Sequence, residues 1–272
     1  MINDRINLTI ENHVAHVQFS NPEKLNALDS KMIDAIIKVG DQIKMDKTIR
    51  AVVLSAKGDH FCAGLDKSNF ETVLSGGALK ISDDYPFDNL EQRVHGITNT
   101  VQHVSWQWRE IEVPVIAALH GVVFGGGFQI SLGADIRIAS SDAQFSIMEI
   151  KWGLIPDMSG TQLMRHLASD DRIRELVYTG RVFSAEQAKE YGFVTEIHKD
   201  PVSAALQLAA TIATKNPDAQ RANKRLLNAA NYLTAEQGLL MESIEQDKII
   251  GRKNQLEAVF AELEKRAPNF TD

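Results

Sequence analysis

The chain is poor in cysteine, with one, Cys62, among 272 residues. That excludes an internal disulfide and fits a reducing, cytoplasmic compartment. No run approaches the roughly 20 consecutive apolar residues of a membrane-spanning helix. The opening segment, Met1 to Ile10, carries charges in place of the apolar stretch of a signal peptide. Positive charge is not in excess either: 29 Lys and Arg stand against 36 Asp and Glu, a net charge of −7. No chain-wide field favours nucleic acid, so an anionic ligand has to be held by local lysines and backbone amides. The eight histidines show no metal-ligand spacing with one another or with Cys62, which speaks against a metal site. Also missing are the Gly-Lys-Ser/Thr of a nucleotide P-loop, the G-x-G-x-x-G of a dinucleotide site and the Gly-x-Ser-x-Gly elbow. What remains is an ordinary globular composition, 44% hydrophobic and 24% charged. The length suits one large domain, or a core with a smaller appendage.

Two glycine-bearing turns stand out. One reads Phe61-Cys62-Ala63-Gly64-Leu65-Asp66, shortly after the strand-like run Ala51 to Ala56. The other is Gly125-Gly126-Gly127, after the apolar run Val115 to His120. Glycine at the end of a strand lets a backbone approach a ligand and bare its N–H groups. Two such N–H groups form an oxyanion hole, which stabilises charge growing on a carbonyl oxygen. A third turn, Ser146 to Trp152, carries the carboxylate Glu149. An oxyanion hole with a carboxylate base is a tool for moving protons next to a carbonyl.

Periodicity gives an α/β chain. Asn7–Ile10 and Val14–Phe19 read as a hairpin about Asn12-His13. Asp29–Met45 places Met32, Ile36, Val39 and Ile43 on one helical face. Ala51–Ser55, Val115–His120 and Ile136–Ala139 read as strands, with a short helix over Gly127–Leu132. Ser68–Asn89 reads as a variable loop over the active site, and Leu90–Glu112 as a helix ending before Pro114. Past Gly153 the chain turns helical. Ser184-Ala-Glu-Gln187 and Thr234-Ala-Glu-Gln237 are capping boxes, and Leu239–Arg266 reads as one long helix with a scattered apolar stripe. The shift to all helix sets a boundary near residue 200, dividing 1–199 from 200–272.

Each candidate group has a plain reading beside the functional one. Glu149 is a surface or helix-capping glutamate, or a carboxylate whose apolar neighbours Met148 and Ile150 lift its pKa for proton transfer. Asp157, before Ser159-Gly160-Thr161, reads as a helix-capping aspartate. Gln129, just inside the glycine-started helix, can hydrogen-bond substrate or water but cannot shuttle a proton. Cys62, between Phe61 and Ala63, reads as a small buried residue and not as a nucleophile.

Along nearly its whole length the chain resembles the crotonase, or enoyl-CoA hydratase/isomerase, superfamily. The resemblance rests on Asn21-Pro-Glu-Lys-Leu-Asn-Ala-Leu28, Phe61–Asp66, Pro114–Gly121, Gly125–Gly127, Ala134-Asp-Ile-Arg137, Ala143-Gln-Phe145, Gly153-Leu-Ile-Pro156 and Lys265-Arg-Ala-Pro-Asn-Phe270. It implies a spiral of ββα units over 1–199, and a helical region over 200–272 for assembly into a homotrimer or homohexamer. It implies an acyl-CoA thioester as substrate, with coenzyme A part of that substrate and no separate cofactor. The family's two oxyanion amides fall on Leu65 and Gly126. Its CoA-holding positions fall on Lys24, Leu25, Ala27, Ala63 and Lys67, and on Lys265, which commonly serves a neighbouring subunit. Hydratases of the family use two glutamates, of which the second falls on Glu149 and the first on Gln129. The dienoyl-CoA isomerase branch adds an aspartate at the spacing of Asp157, though it carries an aspartate where Gln129 stands. The resemblance therefore implies an enoyl-CoA isomerase using Glu149 and Asp157, with Gln129 positioning substrate or water. The alternatives are a hydratase with Glu149 alone and a non-catalytic CoA-binding protein.

Overall fold

The computed structural model describes residues 1–76 and 81–272. Its strands are β1 (Ile6–Glu11), β2 (Val14–Phe19), β3 (Ala51–Ala56), β4 (Val115–Leu119), β5 (Val122–Phe124), β6 (Ile136–Ala139), β7 (Gln144–Ser146), β8 (Phe183–Ser184) and β9 (Glu196–Ile197). Its helices are α1 (Ser30–Met45), α2 (Lys67–Leu74), α3 (Thr100–Glu110), α4 (Gly126–Gly133), α5 (Gly160–Met164), α6 (Asp170–Thr179), α7 (Ala185–Tyr191), α8 (Pro201–Ala213), α9 (Pro217–Ala230), α10 (Ala235–Ile249) and α11 (Lys253–Leu263). Among the described residues no helix is long and apolar enough to cross a membrane.

The larger sheet runs β1-β2-β3-β4-β6-β9. It is parallel from β2 onward, and β1 pairs antiparallel with β2 through the Asn12-His13 turn. A parallel strand covered on both faces needs an unbroken apolar run, and every residue of β3 and β4 is buried. Alternate side chains of β3 go to opposite layers. Val52 and Leu54 join the core formed with Ile36 of α1 and with Val104 and Trp108 of α3. Ala51 and Val53 meet Ala205, Ala209 and Ala213, which lie one turn apart along α8. The helical region after residue 200 thus shares a core with the sheet through α8.

Several elements differ from the sequence reading. Ser68–Asn89 is not all loop, because α2 occupies its first part. The Asp66 carboxylate accepts the Ser68 N–H at 2.9 Å and opens that helix, which residue polarity hid. Residues 77–80 of that loop lie outside the described residues. Helix α3 begins at Thr100 and not at Leu90. The reason is a capping box in which Asn99 accepts the Gln102 N–H and the Gln102 side chain accepts the Asn99 N–H. The long C-terminal helix is two, because Ile250 leaves helical geometry and Arg252 restarts it. The smaller sheet, β5-β7-β8, has strands too short for a period to register.

Candidate active site

Strands β3 and β4 are parallel neighbours, so the chain leaves both at the same end of the sheet. That places the two glycine turns side by side. Phe61 N–H donates to His120 O, Cys62 N–H to Val122 O and Phe124 N–H to Cys62 O, at 2.9 to 3.1 Å. A third segment closes on the first: Ala63 N–H donates to Leu25 O, Leu28 N–H to Gly64 O and Asp66 N–H to Leu28 O, at 2.8 to 3.1 Å. Gly64 has φ +88°, a left-handed geometry that a Cβ resists. A Cβ built on it would lie 3.0 Å from Phe124 O and 3.5 Å from the Gly126 nitrogen, so the turns touch backbone to backbone. Gly126 is the first residue of α4, where helical N–H groups have no intrahelical partner and the dipole is positive. Among the described residues, neither the Leu65 nor the Gly126 N–H has a protein acceptor.

Beside these amides stands Glu149, 9% exposed, in a 3-10 turn. A Cβ on Gly125 would lie 3.5 Å from its Oε1. Gln129 Nε2 donates to that same Oε1 at 2.6 Å. The amide orientation of Gln129 is set by its other end, because Oε1 accepts both the Met158 and the Gly160 N–H, each at 2.9 Å. An oxygen facing two donors must be the carbonyl, so the amino group must face Glu149. The second carboxylate oxygen of Glu149, Oε2, is buried and has no hydrogen-bond partner among the described residues. Burial lifts the Glu149 pKa, and the charge of nearby Asp157 adds to the rise. The Glu149 backbone amide and the Gln129 hydrogen bond pull the other way. Asp157 is partly buried, and burial lifts its pKa too.

The Met158–Gly160 turn is itself tied down. Ser159 takes a left-handed φ of +66°, and its Oγ donates to Gln102 O on α3 at 3.1 Å. Gly160 leaves room for Gln129, whose Oε1 would be 2.5 Å from a Cβ there. Ser159, Gly160 and the Met158 amide were not legible as site residues, since their roles depend on backbone atoms meeting one distant side chain. Asn26 likewise takes its role only from the fold. It is fully buried, its Nδ2 donates to Lys57 O and His60 O, and its Oδ1 accepts the Asn21 N–H. Its place inside Asn21–Leu28 was the available signal. Cys62 is fully buried with its thiol pushed up to about 12, so it packs and does not attack. Among the described residues no three His, Cys, Asp or Glu side chains gather as metal ligands.

The model of the family described as enoyl-CoA hydratase/isomerase matches residues 9–272. The chain belongs to the enoyl-CoA hydratase/isomerase family. This crotonase-family chain is 32% identical over 267 residues to the 1,2-epoxyphenylacetyl-CoA isomerase of Escherichia coli K12, covering 96% of each. It is 28% identical over 260 residues to the mitochondrial Delta(3,5)-Delta(2,4)-dienoyl-CoA isomerase of Dictyostelium discoideum, covering 94% of this chain and 87% of that one. The crystal structure of an enoyl-CoA hydratase from Bacillus anthracis superposes with TM-score 0.84 at 28% identity over 98% of both chains. The protein is thus an acyl-CoA enzyme of the crotonase family with that family's mixed α/β fold.

Of the residues matched by resemblance to CoA positions, Lys24, Leu25, Ala27, Ala63 and Lys67 form a ledge beside the glycine turns of this crotonase-family enzyme. Leu25, in left-handed geometry and 44% exposed, is hydrogen-bonded to Ala63, and Ala27 follows it in the same turn. Lys24 Nζ donates to Asp66 Oδ2 at 3.1 Å. Burial pushes the Asp66 carboxyl up, but Ser68 and Lys24 hold it below its usual range. Lys67 is exposed at the start of α2. Among the described residues no hydrogen bond or ion pair ties Lys265 to this ledge. It follows α11, and the tail beyond it is anchored where Arg50, at the entry to β3, donates to Asp272 Oδ1 at 2.6 Å and to Phe270 O at 3.2 Å. That is the end of β3 opposite the glycine turns.

Proposed function

We propose that the protein moves a carbon–carbon double bond along the acyl chain of an enoyl- or dienoyl-CoA thioester. The observation that carries this reading is the buried Glu149 carboxylate, tied through Gln129 to the Met158–Gly160 turn that directly follows the partly buried Asp157. Two poised carboxyls and an oxyanion hole are the equipment of a proton shift between two carbons. Glu149 as carboxylate takes a proton from one carbon. The C–H electron pair enters the conjugated system, and charge builds on the thioester oxygen facing the Leu65 and Gly126 N–H groups. The pair then returns to form a C–H bond at the other carbon with the proton of Asp157. The thioester itself acidifies the carbon, so the reaction needs no metal or redox cofactor. Water is not consumed, which fits a site whose third polar group, Gln129, has its carbonyl occupied by two backbone amides. The name of the dienoyl-CoA isomerase relative supports the same reading, while other relatives of similar identity are named hydratases.

In this reading the enzyme works as a homotrimer or homohexamer in the cytoplasm. Exposed apolar side chains on α10 and α11, among them Leu239, Leu240, Phe260 and Leu263, support the assembly. The lone buried Cys62 supports the reducing compartment. Lys265, which no hydrogen bond ties to its own ledge, would then serve a neighbour's CoA. The test is Asp157→Asn assayed on a panel of enoyl- and dienoyl-CoA thioesters. Migration slowed by about 10²-fold or more is expected, and migration at the wild-type rate overturns the proposal.

A further inference from the structure

Gln129 is bound at both ends of its amide. Its carbonyl accepts from Met158 and Gly160 N–H, and its amino group donates to Glu149 Oε1 at 2.6 Å. A carboxylate oxygen that accepts an N–H at that distance cannot also carry a proton pointing at the donor. Nor can the carboxylate turn to exchange its oxygens without breaking that bond in a buried site, where an unpaired polar group is expensive. Oε2, the buried oxygen with no partner among the described residues, remains for the substrate.

We infer that Gln129 is a positioning residue that makes Oε2 the one oxygen of Glu149 able to carry the travelling proton, and so leaves the second carbon to Asp157. The inference rests on the isomerase reading and deepens it. A single carboxylate serving both carbons would present one oxygen to each, or swing one oxygen between them. With Oε1 held by Gln129, neither route is open. The proton lost from one carbon stays on Glu149 Oε2, and the proton gained by the other comes from Asp157. Each turnover moves one proton onto Glu149 and one off Asp157, and exchange with solvent resets the pair. Gln129 also spans Glu149 and the turn that follows Asp157, so it fixes the two carboxyls relative to one another.

The isotope content of the product in D₂O reads this directly. The wild type is expected to place close to one solvent deuterium in each molecule of isomerised product. Gln129→Met, of similar length but without the amide, frees Oε1. It should slow migration by about tenfold or more and let a measurable fraction of product keep its own migrating hydrogen. Gln129→Glu keeps an acceptor for both backbone amides. It must share a proton with Glu149 Oε1, so its rate should fall as pH rises and that proton leaves, at a pH displaced from the wild type's own fall as Asp157 loses its proton. If the wild type isomerises with its hydrogen retained, this inference falls while the isomerase reading stands. If isotope content and pH profile are the same in wild type and both variants, it falls likewise. If the wild type forms no isomerised product, the isomerase reading fails and takes the inference with it.

Discussion

Glu149→Gln should lose activity and gain stability. The substitution keeps the shape of the side chain and leaves a carbonyl oxygen to accept from Gln129 Nε2, now 2.6 Å from Glu149 Oε1. What it removes is a buried ionisable group. General acid–base groups contribute about 10²–10⁴-fold to rate, and a loss in that range is expected while CoA binding persists. The stability gain follows from linkage. Burial raises the Glu149 pKa in the fold above its ordinary 4.5, so the folded state holds that proton more tightly than the unfolded one. Stability therefore falls as pH rises from the unfolded value through the raised folded value. Each unit of that rise corresponds to about 1.4 kcal/mol. The neutral amide escapes this loss. The variant should match the wild type below the ordinary glutamate pKa and exceed it at higher pH, by about 1.4 kcal/mol for each unit of that rise. Each such unit is worth about 2–4 °C in melting temperature for a chain of this size. Thermal unfolding from pH 4 to 8, with steady-state kinetics on the best substrate, measures both. A variant that keeps wild-type turnover refutes the base assignment. A stability difference that does not change with pH refutes the claim that the carboxylate is ionised at a cost.

Gly126→Val should crowd the oxyanion amide, because a Cβ there would lie 2.6 Å from Leu28 Cδ1 and 2.7 Å from Met158 Sδ. These are ends of flexible side chains, so the fold should survive while the rate falls by about 10²–10³-fold; a folded variant with unchanged kinetics would show that the glycine serves packing alone. Light scattering should give a trimer or hexamer at micromolar concentration, and a stable monomer would remove Lys265 from any CoA site. With a trimer in hand, Lys265→Ala should raise KM several-fold and leave kcat near wild type; an unchanged KM would place the CoA phosphates elsewhere.

Local pattern carried much of the architecture. The hairpin, α1, β3, β4, α4 and β6 were legible because each follows a single period or a single apolar run. Asn99 and Asp66 show where that reading stops: side chains that cap α3 and α2 set those boundaries, against polar surroundings that read as loop or helix. Strands β5 and β7 exist through their pairing to one another, with Val122 opposite Gln144 and Phe124 opposite Ser146, and three residues carry no period. At the site, residue types pointed to Glu149 and the glycine turns, since a carboxylate among apolar neighbours and glycines at strand ends are visible in one dimension. The direction of the Gln129 amide was not. It is decided by the Met158 and Gly160 N–H groups, 29 and 31 residues along the chain, and those are brought to it only by folding.

Mass analysis of the product formed by the wild-type enzyme from enoyl- and dienoyl-CoA thioesters tests the central claim most directly. Migration of the double bond leaves the mass unchanged, whereas hydration adds that of one water. The arrangement of Glu149, Asp157 and a Gln129 that cannot act as a base predicts product of unchanged mass in excess over hydrated product. Hydrated product as the main species, with Asp157→Asn leaving its rate unaltered, would contradict the account and make Glu149 the acid–base group of a hydratase.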